Sequence, residues 1–206
     1  MSTSIACASS ARAQSSGADD PPFMHEPVKA TLRSGFTLGL SLGPALVWTS
    51  GTPTQYQYRN DQYRVTLGPF LAPSITPFVG WALSDEVTFA LGIEPVRESS
   101  SGVSISGTAF HFRIELFPFS SRGGVLAGLG LATRIGLGSE RFNDSSGNQV
   151  AASGTYSMVG ADLIWEKWRA GNWVLGPALG VVVRTSDTLT ETNIGFTLRG
   201  AYHAGP

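Results

Sequence analysis

Charge is scarce in this chain. Asp, Glu, Lys and Arg make up 14% of the 206 residues, against roughly 25% in ordinary soluble domains. Neither sign is in excess, since the formal net charge is −1, so there is no basic surface for a nucleic acid. Cysteine is almost absent: the single Cys7 excludes an internal disulfide and a cysteine metal cluster. Long hydrophobic runs are missing too. The most apolar windows, 125–133 and 173–183, are glycine-rich and far short of the ~20 residues a spanning helix needs. If this chain crosses a membrane, it crosses with strands.

What the sequence has instead is alternation. Phe36-Thr37-Leu38-Gly39-Leu40-Ser41-Leu42-Gly43 and Val87-Thr88-Phe89-Ala90-Leu91-Gly92-Ile93-Glu94 are the clearest of six stretches with a period of two, the signature of a β-strand. One face carries Leu, Val, Ile and Phe; the other carries Gly, Ser, Thr and scattered Arg, Glu and Asp. A soluble barrel hides its apolar face and exposes its charges. Here the apolar face is the majority face and lipid is its dry environment. Glycine, 25 of 206 residues against a usual ~7%, leaves room on a narrow inward face.

These patterns predict an all-β, closed antiparallel up-and-down transmembrane β-barrel of about eight strands. The strands are expected near 33–49, 63–83, 86–97, 103–117, 124–138, 154–167, 173–185 and 192–203. Residues 32–203 form the barrel. Residues 1–31 read as a signal-peptide remnant and loose periplasmic lead-in, with Ala11-Arg12-Ala13 resembling a signal-peptidase site. Polar connections at 51–62, 98–102, 139–153 and 186–191 alternate with tighter ones, which puts the former outside and both termini in the periplasm. Pro69, Pro73 and Pro77 mark the second strand as irregular or bulged, and a switch of apolar phase suggests a bulge near Gly107 in the fourth.

Aromatic residues fall at the ends of these strands. Trp81, Phe117, Trp165, Trp168, Trp173 and Tyr202 belong to the periplasmic interface, and Trp48, Tyr63, Phe142 and Tyr156 to the outer one. The inward face receives Glu94, His111, Arg113, Glu115, Arg134, Asp162, Glu166, Arg184 and Arg199. A lipid-facing Arg costs roughly 2–4 kcal/mol at the midplane, so these side chains are expected to interlock inside as a lumen charge network.

No catalytic, cofactor-binding or metal residues are assigned. Gly128-Leu129-Gly130 lacks the helix of a nucleotide loop. The chain resembles the small outer-membrane β-barrel superfamily, the OmpA/OmpX-like transmembrane barrels of Gram-negative bacteria. The likeness covers about residues 32–203 and rests on Gly35–Gly43, the loop alternation and the last strand, Ile194–Tyr202. Lipid A deacylases of that membrane pair a His with a Ser two residues away, whereas His111 has Arg113 there.

The resemblance implies a monomeric cell-envelope protein of the bacterial outer membrane, placed by the assembly machinery and surrounded by outer-membrane lipid. It implies a structural, adhesive or surface-interaction role with a side-chain-plugged lumen and no enzymatic activity. Extracellular protein or glycan would be met through loops 51–62 and 139–153. The alternatives are a narrow porin-like pore, a soluble lipocalin-like ligand-binding barrel and a lipid-modifying barrel enzyme. An apolar interior would select the lipocalin.

Overall fold

A computed structural model describes residues 33–52, 65–100, 102–122, 124–187 and 189–205. The lead-in 1–31, Cys7, Tyr63 and most of the 51–62 connection lie outside the described residues. Nine strands follow in order: β1 Gly35–Gly51, β2 Val65–Ala82, β3 Val87–Ser100, β4 Val103–Leu116, β5 Leu129–Asn143, β6 Gln149–Trp165, the short β7 Trp168–Ala170, β8 Trp173–Thr185 and β9 Leu189–Ala204. Neighbouring strands pair antiparallel, β1 pairs with β9, and β6 pairs with β8. The sheet therefore closes into an eight-stranded barrel, with β7 only folded back on β8. Closure removes the free edges that lipid could not hydrogen-bond.

Alternation along each strand places the apolar side chains outside. Leu91 of β3 stands beside Phe112 of β4 and Ile135 of β5 in one row. The next row toward the outer end is Ile93, Phe110 and Leu137, and all six side chains are exposed. Leu38, Leu40, Leu131, Val181 and Phe196 continue the belt around the barrel. The inward positions are small where a large neighbour needs space. A Cβ at Gly92 would run into the His111 ring, and one at Gly180 into the Asp162 carboxylate.

Three expectations need correction. Residues 139–143 and 149–153, expected in a loop, belong to β5 and β6, and the loop shrinks to 144–148. Polar and apolar residues mix on both faces there because the strands have risen beyond the apolar belt, so alternation of hydropathy fades while pairing continues. Conversely, β5 starts at Leu129 after a 3-10 turn over Val125–Gly128. The expected bulge near Gly107 is absent: β4 pairs without a register shift on both sides. The phase switch has another cause. Val103 and Ile105 point inward beyond the belt, whereas Phe110, Phe112 and Leu116 point outward within it.

The connections alone do not orient the barrel, since 117–128 on the terminal side is longer than 144–148 on the other. Chain length measured from the edge of the belt does. Residues 94–109 and 138–158 rise beyond it on the side away from the termini. The tip 144–148 is ordered by Asp144, whose Oδ1 accepts the backbone N–H of Asn148 and of Ser146, each at 2.9 Å. The Asn148 amide, with the other turn donors, holds that carboxyl below its usual pKa range.

Candidate functional site

The lumen is where the charged residues meet. Ion pairs run through it in a zigzag of alternating sign. Arg33, two residues before β1, donates from Nε and Nη2 to Glu166 Oε2 at 2.9 and 2.6 Å. Glu166 Oε1 accepts from Arg199 Nη1 at 2.7 Å, and Arg199 Nη2 reaches Glu115 Oε2 at 2.6 Å. Glu115 Oε1 also takes Arg113 Nε at 2.6 Å, and Arg113 Nη1 lies 3.0 Å from Asp162. Arg134 bridges Asp162 at 2.6 Å and Glu94 at 3.3 Å. Glu94 then accepts Arg184 Nη2 at 2.6 Å, and Arg184 Nη1 pairs with Glu191.

Strand alternation makes this zigzag possible. Glu94, Arg113, Glu115, Arg134, Asp162, Arg184, Glu191 and Arg199 are inward residues of six strands, whose pairing brings the opposite signs to adjacent levels. The guanidinium fork supplies two or three charged hydrogen bonds at once, as the planar arginine geometry allows. The Phe78 ring lies between two of them, 5.4 Å from Arg113 and 5.1 Å from Arg199. A cation over an aromatic face is attracted by its quadrupole.

Apolar clusters lie toward both ends. Toward the termini, Phe117, Ala132, Ile164 and Ala178 pack together, and the Arg33 guanidinium sits 3.6 Å from the Phe117 ring centre. At the other end Val96, Ile105, Phe142, Ala151 and Leu189 form a buried cluster, with Leu67 and Val103 against it. Between these caps a void of ≈ 20 Å³ is lined by Ser41, Glu94, Arg113, Arg134, Asp162 and Asn193 among others. That is room for about one water molecule.

The nine sequence-assigned lumen residues all have buried side chains. His111 differs from the rest: neither ring nitrogen has a hydrogen-bond partner. It fills the space over Gly92 and Gly136 while the arginines take the carboxylates. Sequence reasoning missed Arg33, Glu98, Glu140 and Glu191. The last three continue the inward phases of Glu94, Arg134 and Arg199 beyond the belt, and extending the alternation would have found them. Arg33 stood at the very start of the expected first strand, with the inward parity of Thr37 and Ser41, but two residues before the observed one. His203 was also missed; its Nδ1 lies 3.0 Å from Thr37 Oγ1.

Three of the interface aromatics are corrected. Phe117, Phe142 and Tyr156 are buried inside, because position along the barrel axis does not decide which face a residue takes. Phe142 and Tyr156 share the inward parity of Arg134 and Asp162, and Phe117 turns under the barrel, where its N–H donates to Glu86 O at 2.7 Å. Trp81, Trp168 and Trp173 are exposed, and Trp48, Trp165 and Tyr202 are half-exposed. Trp173 and Tyr202 lean together with ring centres 5.2 Å apart. Among the described residues no three His, Cys, Asp or Glu side chains are grouped as a metal ion requires.

No protein-family model and no curated protein sequence matches the chain. Several solved structures share its architecture. Neisserial surface protein A is 11% identical with a TM-score of 0.49, over 81% of this chain and 96% of that one. The attachment invasion locus protein Ail of Yersinia pestis is 10% identical with a TM-score of 0.45, over 82% and 98%. The outer membrane protein OprG of Pseudomonas aeruginosa is 11% identical with a TM-score of 0.45, over 84% and 98%. The chain is similar to these small barrels in fold. Its own apolar exterior and charged interior make it a barrel built to span a membrane.

Proposed function

We propose that the protein is an integral outer-membrane β-barrel with a structural, adhesive or surface-interaction role and a lumen plugged by its own side chains. One observation carries the reading: the outward face is a belt of exposed Leu, Ile, Val and Phe, while the lumen holds buried arginines and carboxylates. Water would reverse that distribution. The lipocalin-like alternative requires an apolar interior, and the charged zigzag opposes it. The plug is supported by the two apolar caps and by a void no larger than about one water molecule.

The role is assigned to the surface because the described lumen residues fill the bore with ion pairs between two apolar clusters. The rising β3–β4 and β5–β6 hairpins carry the protein beyond the belt, and contact with an extracellular protein or glycan would be made there and through the 51–62 connection. Planar bilayers test the plug. Refolded protein is expected to give no steady conductance, and a large, stable conductance would replace the plug with a pore. Turnover of lipid A or of peptide by purified protein, abolished in His111→Ala, would make the barrel an enzyme.

A further inference from the structure

The wall of the barrel is uneven. β2 pairs with β1 along its whole length, but its ladder with β3 covers only Phe78–Ala82 opposite Thr88–Gly92. The pairing stops where Pro77 begins. Pro73 and Pro77 share one parity within an unshifted stretch of the β1–β2 ladder, so their missing N–H groups face the same neighbour, whereas Pro69 lies at the register shift between Val47 and Thr49. Since β1 keeps its ladder through this stretch, that neighbour is β3. A seam opens from the belt outward. At its foot lies an apolar groove of ≈ 510 Å³, lined by Leu38, Pro77, Val79, Leu91, Ile93 and Phe110 among others. Farther out, a second cleft of ≈ 420 Å³ takes in Leu71, Pro73, Arg97, Ser99 and Ser106 among others, with the buried, inward Glu98 at its floor.

Beside that cleft the outward face is cationic. Strand register puts Arg97, Ser106 and Arg141 in one row across β3, β4 and β5. Both arginines are exposed, and neither takes part in an ion pair among the described residues. Two strand spacings separate their backbones by roughly 10 Å, and the outward neighbours Ser99, Ser104, Thr108 and Ser139 include no acid. The row lies two levels above Ile93, Phe110 and Leu137, the last apolar row of the belt. In a bilayer this is the headgroup level. An unpaired guanidinium pair flanked by hydroxyls is suited to phosphate, and the groove below it to an acyl chain.

We propose that the seam and the Arg97–Ser106–Arg141 row bind a phosphorylated, multiply acylated lipid of the outer leaflet. The arginines hold its phosphate, and one acyl chain lies in the β2–β3 groove. This rests on the reading that the barrel spans the outer membrane, and it adds a specific lipid site to a surface that would otherwise be wetted indifferently. Charge and apolar groove are adjacent, which a free anion would not need.

The test is native mass spectrometry of the barrel released from detergent micelles with bis-phosphorylated, hexa-acylated lipid A. Wild-type protein is expected to retain one lipid, and the double variant Arg97→Ala/Arg141→Ala to retain it about tenfold more weakly or less. Heat-shifted gel migration shows that the variant has folded. Equal retention by the double variant overturns the proposal. So does equal retention of dephosphorylated lipid A, and so does full displacement by inorganic phosphate, which would make the row a free-anion site. Failure of the membrane reading looks different: wild-type protein would then fold in water without detergent.

Discussion

The two halves of the lumen use the same residue types to different ends. In the terminal half, Arg33, Arg113 and Arg199 face Glu115, Asp162 and Glu166 at 2.6–3.2 Å. Both oxygens of Glu115 and of Glu166 accept at least one guanidinium N–H. In the outer half Arg184 meets Glu94, Glu98, Glu140 and Glu191, and of these four only Glu94 has a second arginine, Arg134. Glu98 and Glu140 stand 3.9 Å from it, and Glu98 Oε2, Glu140 Oε1 and Glu191 Oε2 have no hydrogen-bond partner. The first arrangement is neutral, and of its six members only Asp162 has an oxygen without a hydrogen bond, Oδ2, which still lies 3.0 Å from Arg113 Nη1, so removing any member leaves another short of a partner. The second carries surplus acid beneath an apolar cap, where a carboxylate can be neutralised without orphaning a cation.

The largest effect is expected from Arg199→Ala. It strands one oxygen of Glu115 and one of Glu166, and a broken buried pair costs about 3–5 kcal/mol; urea unfolding in lipid vesicles measures it. Arg134→Ala, which frees one oxygen of Asp162 and one of Glu94, belongs in the same range of about 3–5 kcal/mol. Glu115→Gln should cost less, about 1–3 kcal/mol, since the amide keeps one acceptor but faces Arg113 and Arg199 with a donor. Glu98→Gln sharpens the comparison: stability should stay within about 0.5 kcal/mol of wild type or rise. Equal losses for Glu98→Gln and Glu115→Gln would erase the difference between the halves.

The smallest effect is reserved for the loop. Asp144→Ala removes the acceptor for Ser146 N–H and Asn148 N–H, so the tip 144–148 should become the preferred site of protease nicking while the unfolding midpoint stays put. Below the depressed pKa of Asp144 the wild-type tip should behave like the variant. The lowered carboxyl gives order that is present at neutral pH and lost as pH falls through its folded-state pKa.

The barrel and its inside-out polarity were legible because a period of two survives wherever one face meets lipid and the other does not. Leu38, Leu91 and Phe196 could hardly be placed otherwise. Legibility failed where that contrast ends. Beyond the belt both faces of β5 and β6 are wet or mixed, so 139–143 and 149–153 looked like loop although their backbone stays paired. The same loss hid Glu98, Glu140 and Glu191, which keep an inward phase among polar neighbours. Phe142 and Tyr156 failed differently: an aromatic near a strand end suits either the interface or an apolar cap, and only parity decides. The β2–β3 seam was half visible in Pro69, Pro73 and Pro77, but which neighbour loses its donors is a matter of register. The partner of Arg33 could not be read, because Glu166 lies 133 positions away.

The central claim is that the outward rows face lipid. Its most direct measurement is the accessibility of single spin labels at Ile135, Leu163 and Val181, introduced as cysteines in a Cys7→Ser background and reconstituted in bilayers. The account predicts high collision with oxygen and little with a water-soluble nickel chelate at all three. Ready collision with the chelate, or labels immobilised in a protein core shielded from both reagents, would contradict it.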